Sequence, residues 1–237
     1  MVRFSNQVVL VTGGTGGLGR SVTLAFLKEG ASVVVTYQRP DEFENLRRTA
    51  ASGLSLEGRQ LDVTDPSAVS SSVEELLAKH GKLDVLVNAV GGYAGGLKLW
   101  ETDPTVFDRM IALNLRSGYV LSRAVVPAML KTGRGAILNV VAKAAVDHAA
   151  GVSAYAASKA AAQAMTDSLA ADLKGSGVRV NSILPSIIDT EVNRKAMPGA
   201  DFSKWPKPED IARVILFLCS DEAKVIHGAS VPVYGDS

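Results

Sequence analysis

The sequence predicts an α/β fold in which helices cover both faces of one doubly wound, seven-stranded parallel sheet. Short apolar runs alternate with longer helical stretches along the whole chain, and a glycine-rich turn follows the first run. Most of the runs are nearly continuously apolar, as expected for strands buried on both faces. A chain of 237 residues is enough for one such fold, so we expect residues 1–237 to form a single domain.

Seven runs are predicted as strands and six stretches as helices. The strands are 7–12, 32–37, 59–63, 83–88, 135–141, 178–184 and 230–234. The helices are 17–29, 40–51, 66–80, 104–131, 152–175 and 208–220. The third helix carries clear end signals, with Asp65 before Pro66 at its start and Gly81 at its end. The longest stretch without a pattern is 186–207, which we predict to be a substrate lid.

Composition and charge exclude several classes of function. The formal net charge is +1 and the basic residues are scattered, so no patch for nucleic acid or an anionic membrane is expected. No apolar run reaches the roughly 18 residues of a membrane span, and no signal peptide precedes the first strand. The single cysteine, Cys219, fits a reducing compartment, and the three histidines are too dispersed for a metal site. We therefore expect a metal-free cytoplasmic protein that acts on a small molecule.

The glycine-rich turn predicts a nucleotide site. Gly13, Gly17 and Gly19 stand between the first strand and the first helix. Such glycines let a pyrophosphate approach the backbone, and the helix N-terminus adds N–H donors and a positive dipole. The spacing is G-x-x-x-G-x-G rather than the general dinucleotide fingerprint, and a purely structural turn is the alternative. Thr15 and Leu18 lie inside the same turn and complete this set of candidate cofactor contacts.

Further cofactor contacts are expected at the carboxyl ends of the strands. Asp62 and Val63 end the third predicted strand, and Asn88 and Ala89 end the fourth. Asp62 would accept from an adenine amino group, or it would cap the next helix. The second strand is followed by Arg39 and by no acid, which favours NADP(H) over NAD(H). The alternative for Arg39 is a solvated surface charge.

A tyrosine and a lysine are the candidate catalytic pair. Tyr155 and Lys159 are four residues apart in an alanine-rich predicted helix, so both side chains share one face. A lysine ammonium beside a phenol favours the phenolate, which makes the pair a tuned proton donor or acceptor. The preceding strand ends in "NVVAKAA" and offers no hydroxyl to hold a substrate carbonyl.

These motifs together resemble the short-chain dehydrogenase/reductase family over nearly the whole chain. The matching segments are the glycine turn, "NAVGG" at 88–92, "ALNLRSGY" around Asn114, Tyr155-x-x-x-Lys159 and "VRVNSILPS" at 178–186. The resemblance implies a seven-stranded Rossmann sheet that binds NAD(P), in a homotetramer or homodimer. It also implies a proton-transfer role for Tyr155 and a role for Lys159 in lowering the pKa of that tyrosine and holding the nicotinamide ribose.

The resemblance assigns three further positions. Asn114 would hold a water that connects Lys159 to solvent, and Thr190 would meet the nicotinamide carboxamide. Pro185, followed by Ser186, matches the proline that usually precedes a glycine after strand six. The catalytic serine of most members is replaced by Ala142, thirteen residues before Tyr155.

Two interpretations explain the missing serine. A nucleotide-binding scaffold that has lost catalysis is one of them, although Asn114, Tyr155 and Lys159 are all retained. The other is a specialised reductase, because residues 90–96, 142–151 and 193–205 are similar to quinonoid dihydropteridine reductases. The remaining chain is similar to ordinary carbonyl or 3-oxoacyl reductases, which stay an alternative. The candidate substrate contacts are Tyr93, Ala142, Lys143 and Trp205.

Overall fold

Seven parallel strands form one sheet in the order β3-β2-β1-β4-β5-β6-β7 in the computed structural model, which describes residues 2–236. The strands are β1 (Val8–Thr12), β2 (Ser32–Tyr37), β3 (Leu56–Gln60), β4 (Val85–Asn88), β5 (Gly135–Val140), β6 (Val178–Pro185) and β7 (Ser230–Val233). The order reverses between β1 and β4, which is the switch point where an open α/β sheet binds its ligand. The predicted fold class is confirmed.

Eight helices connect the strands and lie on both faces of the sheet. They are α1 (Gly17–Lys28), α2 (Pro40–Thr49), α3 (Pro66–His80), α4 (Pro104–Ile111), α5 (Ser117–Thr132), α6 (Ser153–Asp172), α7 (Glu191–Ala196) and α8 (Pro208–Cys219). The predicted end signals of α3 are confirmed. The Asp65 carboxylate accepts from the N–H of Ser67 over 2.8 Å, and Gly81 closes the helix with φ = 73°.

The sheet buries a hydrophobic core on each face. Val9 and Val11 of β1 pack into the core that α1 and α8 cover. Val8 and Leu10 of the same strand pack into the opposite core, which α3, α5 and α6 cover. Successive side chains of a strand point to opposite faces, so a strand covered on both sides is apolar at every position.

The third strand lies three residues earlier than predicted. The sequence placed it at 59–63, whereas β3 spans Leu56–Gln60. Its register is fixed by β2, which pairs Val33 with Leu56 and Tyr37 with Gln60. Because β2 ends at Tyr37, the pairing ends there too. The apolar Val63 follows the strand but is buried in the core on one face of the sheet, which is why the hydrophobic pattern was misleading.

The predicted helix 104–131 is interrupted. Residues Ala112–Arg116 form one π-helical turn between α4 and α5. An extra residue in a helical turn is common at functional sites, because it re-aims a side chain without ending the helix. Asn114 lies inside this turn and is 5% exposed. The π-helical turn could not be predicted, because the apolar periodicity of the sequence continues through it.

The stretch 186–207 has more structure than the sequence indicated. It contains α7, in which the N–H of Asn193 donates to the Thr190 hydroxyl, and a short 3-10 turn at Phe202–Lys204. Both ends of the stretch are joined, because the N–H of Asp189 donates to the carbonyl of Pro206 over 3.0 Å. None of the helices described within residues 2–236 is long and apolar enough to cross a membrane.

Candidate active site

The first turns of α6 hold the tyrosine and the lysine near the end of β5. Tyr155 is largely buried, and burial together with the nearby Tyr93 raises the pKa of the Tyr155 phenol to about 12. Lys159 is 5% exposed, and burial lowers the pKa of its ammonium to about 8. Burial is the main cause of both shifts, since a low-dielectric site disfavours the charged form of each group. The expectation that Lys159 lowers the pKa of Tyr155 is therefore wrong for this structure, in which that pKa is raised.

The Lys159 ammonium is fixed by the backbone of β5. Its Nζ donates to the carbonyl oxygen of Val140 over 3.1 Å. Gly91, which follows β4, lies close to the Lys159 ammonium. A Cβ at this position would be 3.2 Å from Nζ of Lys159 and 2.9 Å from Oδ1 of Asn114. The cation therefore lies between the ends of two neighbouring strands, at the edge where ligands bind.

Asn114 joins three parts of the site. Its Oδ1 accepts from the N–H of Gly92 over 2.9 Å, and its Nδ2 donates to the Gly92 carbonyl over 3.0 Å. Nδ2 also donates to Oγ of Ser158 over 2.9 Å, and this hydroxyl donates to the Tyr155 carbonyl over 2.7 Å. The π-helical turn is thereby connected to the loop after β4 and to the backbone of Tyr155. The sequence analysis missed Ser158, although its place beside Lys159 was a signal.

Ala142 is buried just after β5, where the resemblance predicted a serine. It is 6% exposed and extended, and it precedes a 3-10 turn at Lys143–Ala145 that packs against α6. A methyl group therefore stands at this corner of the site. Lys143 points its ammonium at the ring of Tyr234, 5.1 Å from the centroid, and lies 3.7 Å from the Asp147 carboxylate.

The two aromatic substrate candidates have different surroundings. Tyr93 is 66% exposed, and its ring meets the Tyr155 ring edge-on with centroids 5.0 Å apart. Trp205 is buried and packs on Phe202, with ring centroids 4.9 Å apart. Trp205 also lines a cavity of about 370 Å³ together with residues of α8 and the chain end near Gly235. Tyr93 thus contacts Tyr155 directly, whereas the contacts of Trp205 lie within the stretch 186–207 and around α8.

The glycine turn lies at the N-terminus of α1 and faces α7. Gly13 has φ = 64°, and its N–H donates to Oγ1 of Thr36 over 3.1 Å. A Cβ at Gly17 would lie 2.8 Å from Cγ2 of Thr190, so only a glycine fits this close approach. Leu18 and Gly19 are buried in the first turn of α1, which contains no acid. Thr190 therefore packs directly against the glycine turn.

The strand ends provide the other predicted contacts. The Asn88 side chain is buried, where its Oδ1 accepts from Oγ1 of Thr12 over 2.8 Å. Ala89 follows, and its N–H donates to the Thr12 carbonyl over 3.3 Å. Asp62 is exposed after β3, and its Oδ1 accepts from the N–H and hydroxyl of Thr64. Pro185 ends β6 and precedes the stretch that leads to Thr190.

An acid that the sequence analysis overlooked lies beside Arg39. Glu42, in the first turn of α2, forms an ion pair with the Arg39 guanidinium. Its other carboxylate oxygen accepts from the hydroxyl of Thr15 over 3.0 Å. The argument that no acid stands near the end of β2 is therefore wrong. Glu42 is three residues beyond Arg39, and only the fold shows that it reaches back to the glycine turn.

The residues present fit a nicotinamide dinucleotide. The glycine turn leaves the backbone open at the N-terminus of α1, where a diphosphate is stabilised by N–H groups and the helix dipole. Gly91 leaves room beside Lys159 and Asn114 where a side chain would fill the site. Among residues 2–236, no three His, Cys, Asp or Glu side chains are grouped to hold a metal ion.

The sequence model of the family described as "short chain dehydrogenase" matches residues 7–201. The 3-oxoacyl-(acyl-carrier-protein) reductase of Thermotoga maritima is 33% identical to the chain, covering 99% of this chain and 98% of its own length. The meso-2,3-butanediol dehydrogenase of Serratia marcescens is 31% identical, covering 99% and 95%. A solved structure described as ElxO with NADP bound superposes with a TM-score of 0.90 at 29% identity and 97% coverage of both chains.

Proposed function

Because the chain belongs to the short-chain dehydrogenase family, it is an NAD(P)-dependent oxidoreductase, and we propose that it reduces an electrophilic conjugated heterocycle of the quinonoid dihydropterin type. The observation that carries this proposal is the buried Ala142 at the end of β5. It leaves the site without the usual hydroxyl, while Lys159 is bonded to the end of β5 and Asn114 is connected through Ser158 to the backbone of Tyr155.

The missing hydroxyl bears on the kind of substrate that can react. Reduction of an isolated ketone concentrates negative charge on one oxygen, and a fixed hydrogen-bond donor on that oxygen typically contributes about 10²–10³ in rate. A quinonoid dihydropterin instead spreads the charge over its ring as aromatic character returns. The need for a second donor is then smaller, and a methyl group at position 142 is tolerated.

The proposed reaction assigns separate roles to the coenzyme and to several residues of the chain. When bound, the reduced coenzyme supplies the hydride. Tyr155 supplies the proton, and the Lys159 ammonium stabilises the phenolate that remains. The exposed ring of Tyr93, edge-on to Tyr155, offers one wall for a flat substrate. The stretch 186–207, with Trp205, is proposed as the lid that closes over the substrate.

An ordinary carbonyl or 3-oxoacyl reductase is the second candidate. It is favoured by the full-length similarity to the 3-oxoacyl-(acyl-carrier-protein) reductase, which covers 98% of that protein. A catalytically silent nucleotide-binding protein is the third, because Ala142 replaces a residue that catalysis usually needs. The silent protein is disfavoured by the retention of Tyr155, Lys159 and Asn114.

One assay separates these candidates. Coenzyme oxidation is followed with quinonoid dihydropterin, a quinone, simple ketones and a 3-oxoacyl thioester. We expect turnover with the first two, and a Tyr155→Phe variant that keeps coenzyme binding but loses about 10²-fold or more in rate. Fast reduction of the ketones or the thioester would overturn the proposal in favour of the ordinary reductase. Tight coenzyme binding with no turnover on any substrate would overturn it in favour of the silent protein.

For the coenzyme we propose NADP(H) in preference to NAD(H). Arg39 is exposed at the N-terminus of α2 and offers a cation to a 2′-phosphate. Its ion pair with Glu42 limits the strength of this preference.

We also propose a homodimer or homotetramer. Tyr119 and Leu130 of α5 and Phe217 of α8 leave apolar surface exposed on two helices. Light scattering after size exclusion tests the assembly, and a monomer at micromolar concentration would contradict it. The cytoplasmic location stays a prediction.

A further inference from the structure

We propose that Glu42 sets the coenzyme selectivity of this enzyme, because its carboxylate competes with the 2′-phosphate of NADP(H) for Arg39. The inference rests on the NAD(P) dependence of the family and not on the identity of the substrate. It concerns the space between the end of β2, the start of α2 and the glycine turn.

The Glu42 carboxylate bridges two parts of the coenzyme cleft. One oxygen, Oε2, accepts from the hydroxyl of Thr15 over 3.0 Å, inside the glycine turn. The other, Oε1, accepts from the guanidinium of Arg39, the residue that precedes α2. The adenosine ribose of a dinucleotide lies between the glycine turn and the end of the second strand in this type of fold. The carboxylate therefore lies close to the expected position of the 2′ substituent of that ribose, which distinguishes NADP(H) from NAD(H).

Packing fixes the position of Glu42. The next residue, Phe43, stacks on Tyr37 of β2 with ring centroids 4.8 Å apart and an interplanar angle of 3°. Phe43 also covers Gly58 of β3, where a Cβ would come within 2.5 Å of the ring. Pro40 begins α2 and restricts its first turn. The side chain of Glu42 is 30% exposed, so the acid is held by the fold and is only partly open to solvent.

The two coenzymes interact differently with the charges of Glu42 and Arg39. The 2′-hydroxyl of NAD(H) donates to the carboxylate, which has free acceptor positions and keeps both of its present partners. A 2′-phosphate brings negative charge close to the carboxylate and has to share with it the positive charge of Arg39, one terminal nitrogen of which already pairs with Glu42. The attraction that Arg39 offers to NADP(H) is therefore weakened by Glu42. Glu42 thus weakens the preference for NADP(H) that Arg39 would otherwise give.

The test is coenzyme binding in a Glu42→Gln variant, measured as Kd for NADPH and for NADH by direct titration. Glutamine keeps the shape and an acceptor for Thr15 but removes the charge. We expect the Kd for NADPH to fall about tenfold, which corresponds to roughly 1.4 kcal/mol, and the Kd for NADH to stay or rise. Glu44→Gln is the matched control, because Glu44 lies in the same helix and pairs with Arg47 over 2.8 Å instead.

A double-variant cycle tests the competition itself. If Glu42 acts mainly by occupying Arg39, the gain in NADPH affinity must become clearly smaller when Glu42→Gln is combined with Arg39→Gln, because only the direct repulsion between the carboxylate and the 2′-phosphate is then left to relieve. Equal changes in Kd for both coenzymes, no change for either, or a gain that is equally large without Arg39 would overturn the proposal. None of these readouts needs a substrate, so a failure here is distinct from a failure of the proposed heterocycle reduction.

Discussion

The Nζ of Lys159 donates to the carbonyl oxygen of Val140 over 3.1 Å, at the point where β5 ends. This hydrogen bond ties the catalytic helix to the strand that leads into Ala142. It also places a cation in a site that is almost closed to water, since Lys159 is 5% exposed. Burial lowers the pKa of this ammonium to about 8. Protonation and stability are therefore linked at this residue.

Stability should rise with pH between about 8 and 10 because of Lys159. The folded chain releases this proton near pH 8, whereas an unfolded chain keeps it to about 10.4, so the unfolded state binds more protons in between. The rise is bounded by about 3 kcal/mol. Urea unfolding of the apoprotein at pH 7.5 to 10 would measure it. A Lys159→Met variant should lack this component, and parallel pH profiles of the two proteins would contradict the prediction.

Asn114→Ala should destabilise the protein and impair catalysis. The substitution leaves both backbone groups of Gly92 without their partner and removes the donor to the Ser158 hydroxyl, which typically costs about 1–3 kcal/mol for a buried group. The midpoint of urea unfolding and kcat measure the two effects. Asn45→Ala is the control, because the side chain of Asn45 accepts from Arg48 on an exposed helix face. Equal stability of the two variants would contradict the network described for Asn114.

Gly91→Ala should lower activity more than stability. The added methyl would lie 2.9 Å from Oδ1 of Asn114 and 3.2 Å from Nζ of Lys159, so it intrudes on the site itself. We expect the rate to fall about tenfold or more, as small displacements of catalytic groups are costly. Gly199→Ala is the control for the effect on stability, because nothing lies within 4 Å of a Cβ there. Wild-type kinetics in Gly91→Ala would show that the space beside Lys159 is not used.

Tyr93→Ala should weaken substrate binding, whereas Tyr93→Phe should retain most of it. An edge-on or stacked aromatic contact contributes about 0.5–1.5 kcal/mol beyond buried area, so KM should rise roughly threefold to tenfold. Trp100→Ala is the control, because Trp100 is 76% exposed and its ring meets Lys98. If Trp100→Ala raised KM as much as Tyr93→Ala, the role of the Tyr93 ring would be refuted.

The sequence predicted the fold well because the fold depends on local patterns. Seven apolar runs and the glycine turn were enough for the sheet and its covering on both faces. Two of the errors in the predicted fold have clear physical causes. The start of β3 is set by pairing with β2, and hydrophobicity shifted the prediction toward the buried Val63. The π-helical turn at Asn114 adds a residue without breaking the apolar periodicity.

The candidate site was harder to predict because its contacts join distant parts of the chain. The pairing of Tyr155 with Lys159 could be predicted from their spacing, since both lie on one helix. The contact of Glu42 with Thr15 could not be predicted, because it depends on how α2 packs on β2 and β3. Ser158 was overlooked for a similar reason, since its partner Asn114 is 44 residues away.

The most direct test of the central claim compares Ala142→Ser with the wild type. The quantity is the ratio of kcat/KM for a ketone to kcat/KM for quinonoid dihydropterin. We predict that the serine raises this ratio at least about tenfold, because one donor aimed at a developing oxyanion contributes about 10²–10³. Ala157→Ser, on the exposed side of α6, should leave it unchanged. A ratio that does not move, or a wild type that already prefers the ketone, would contradict the claim that Ala142 selects an electrophilic heterocycle.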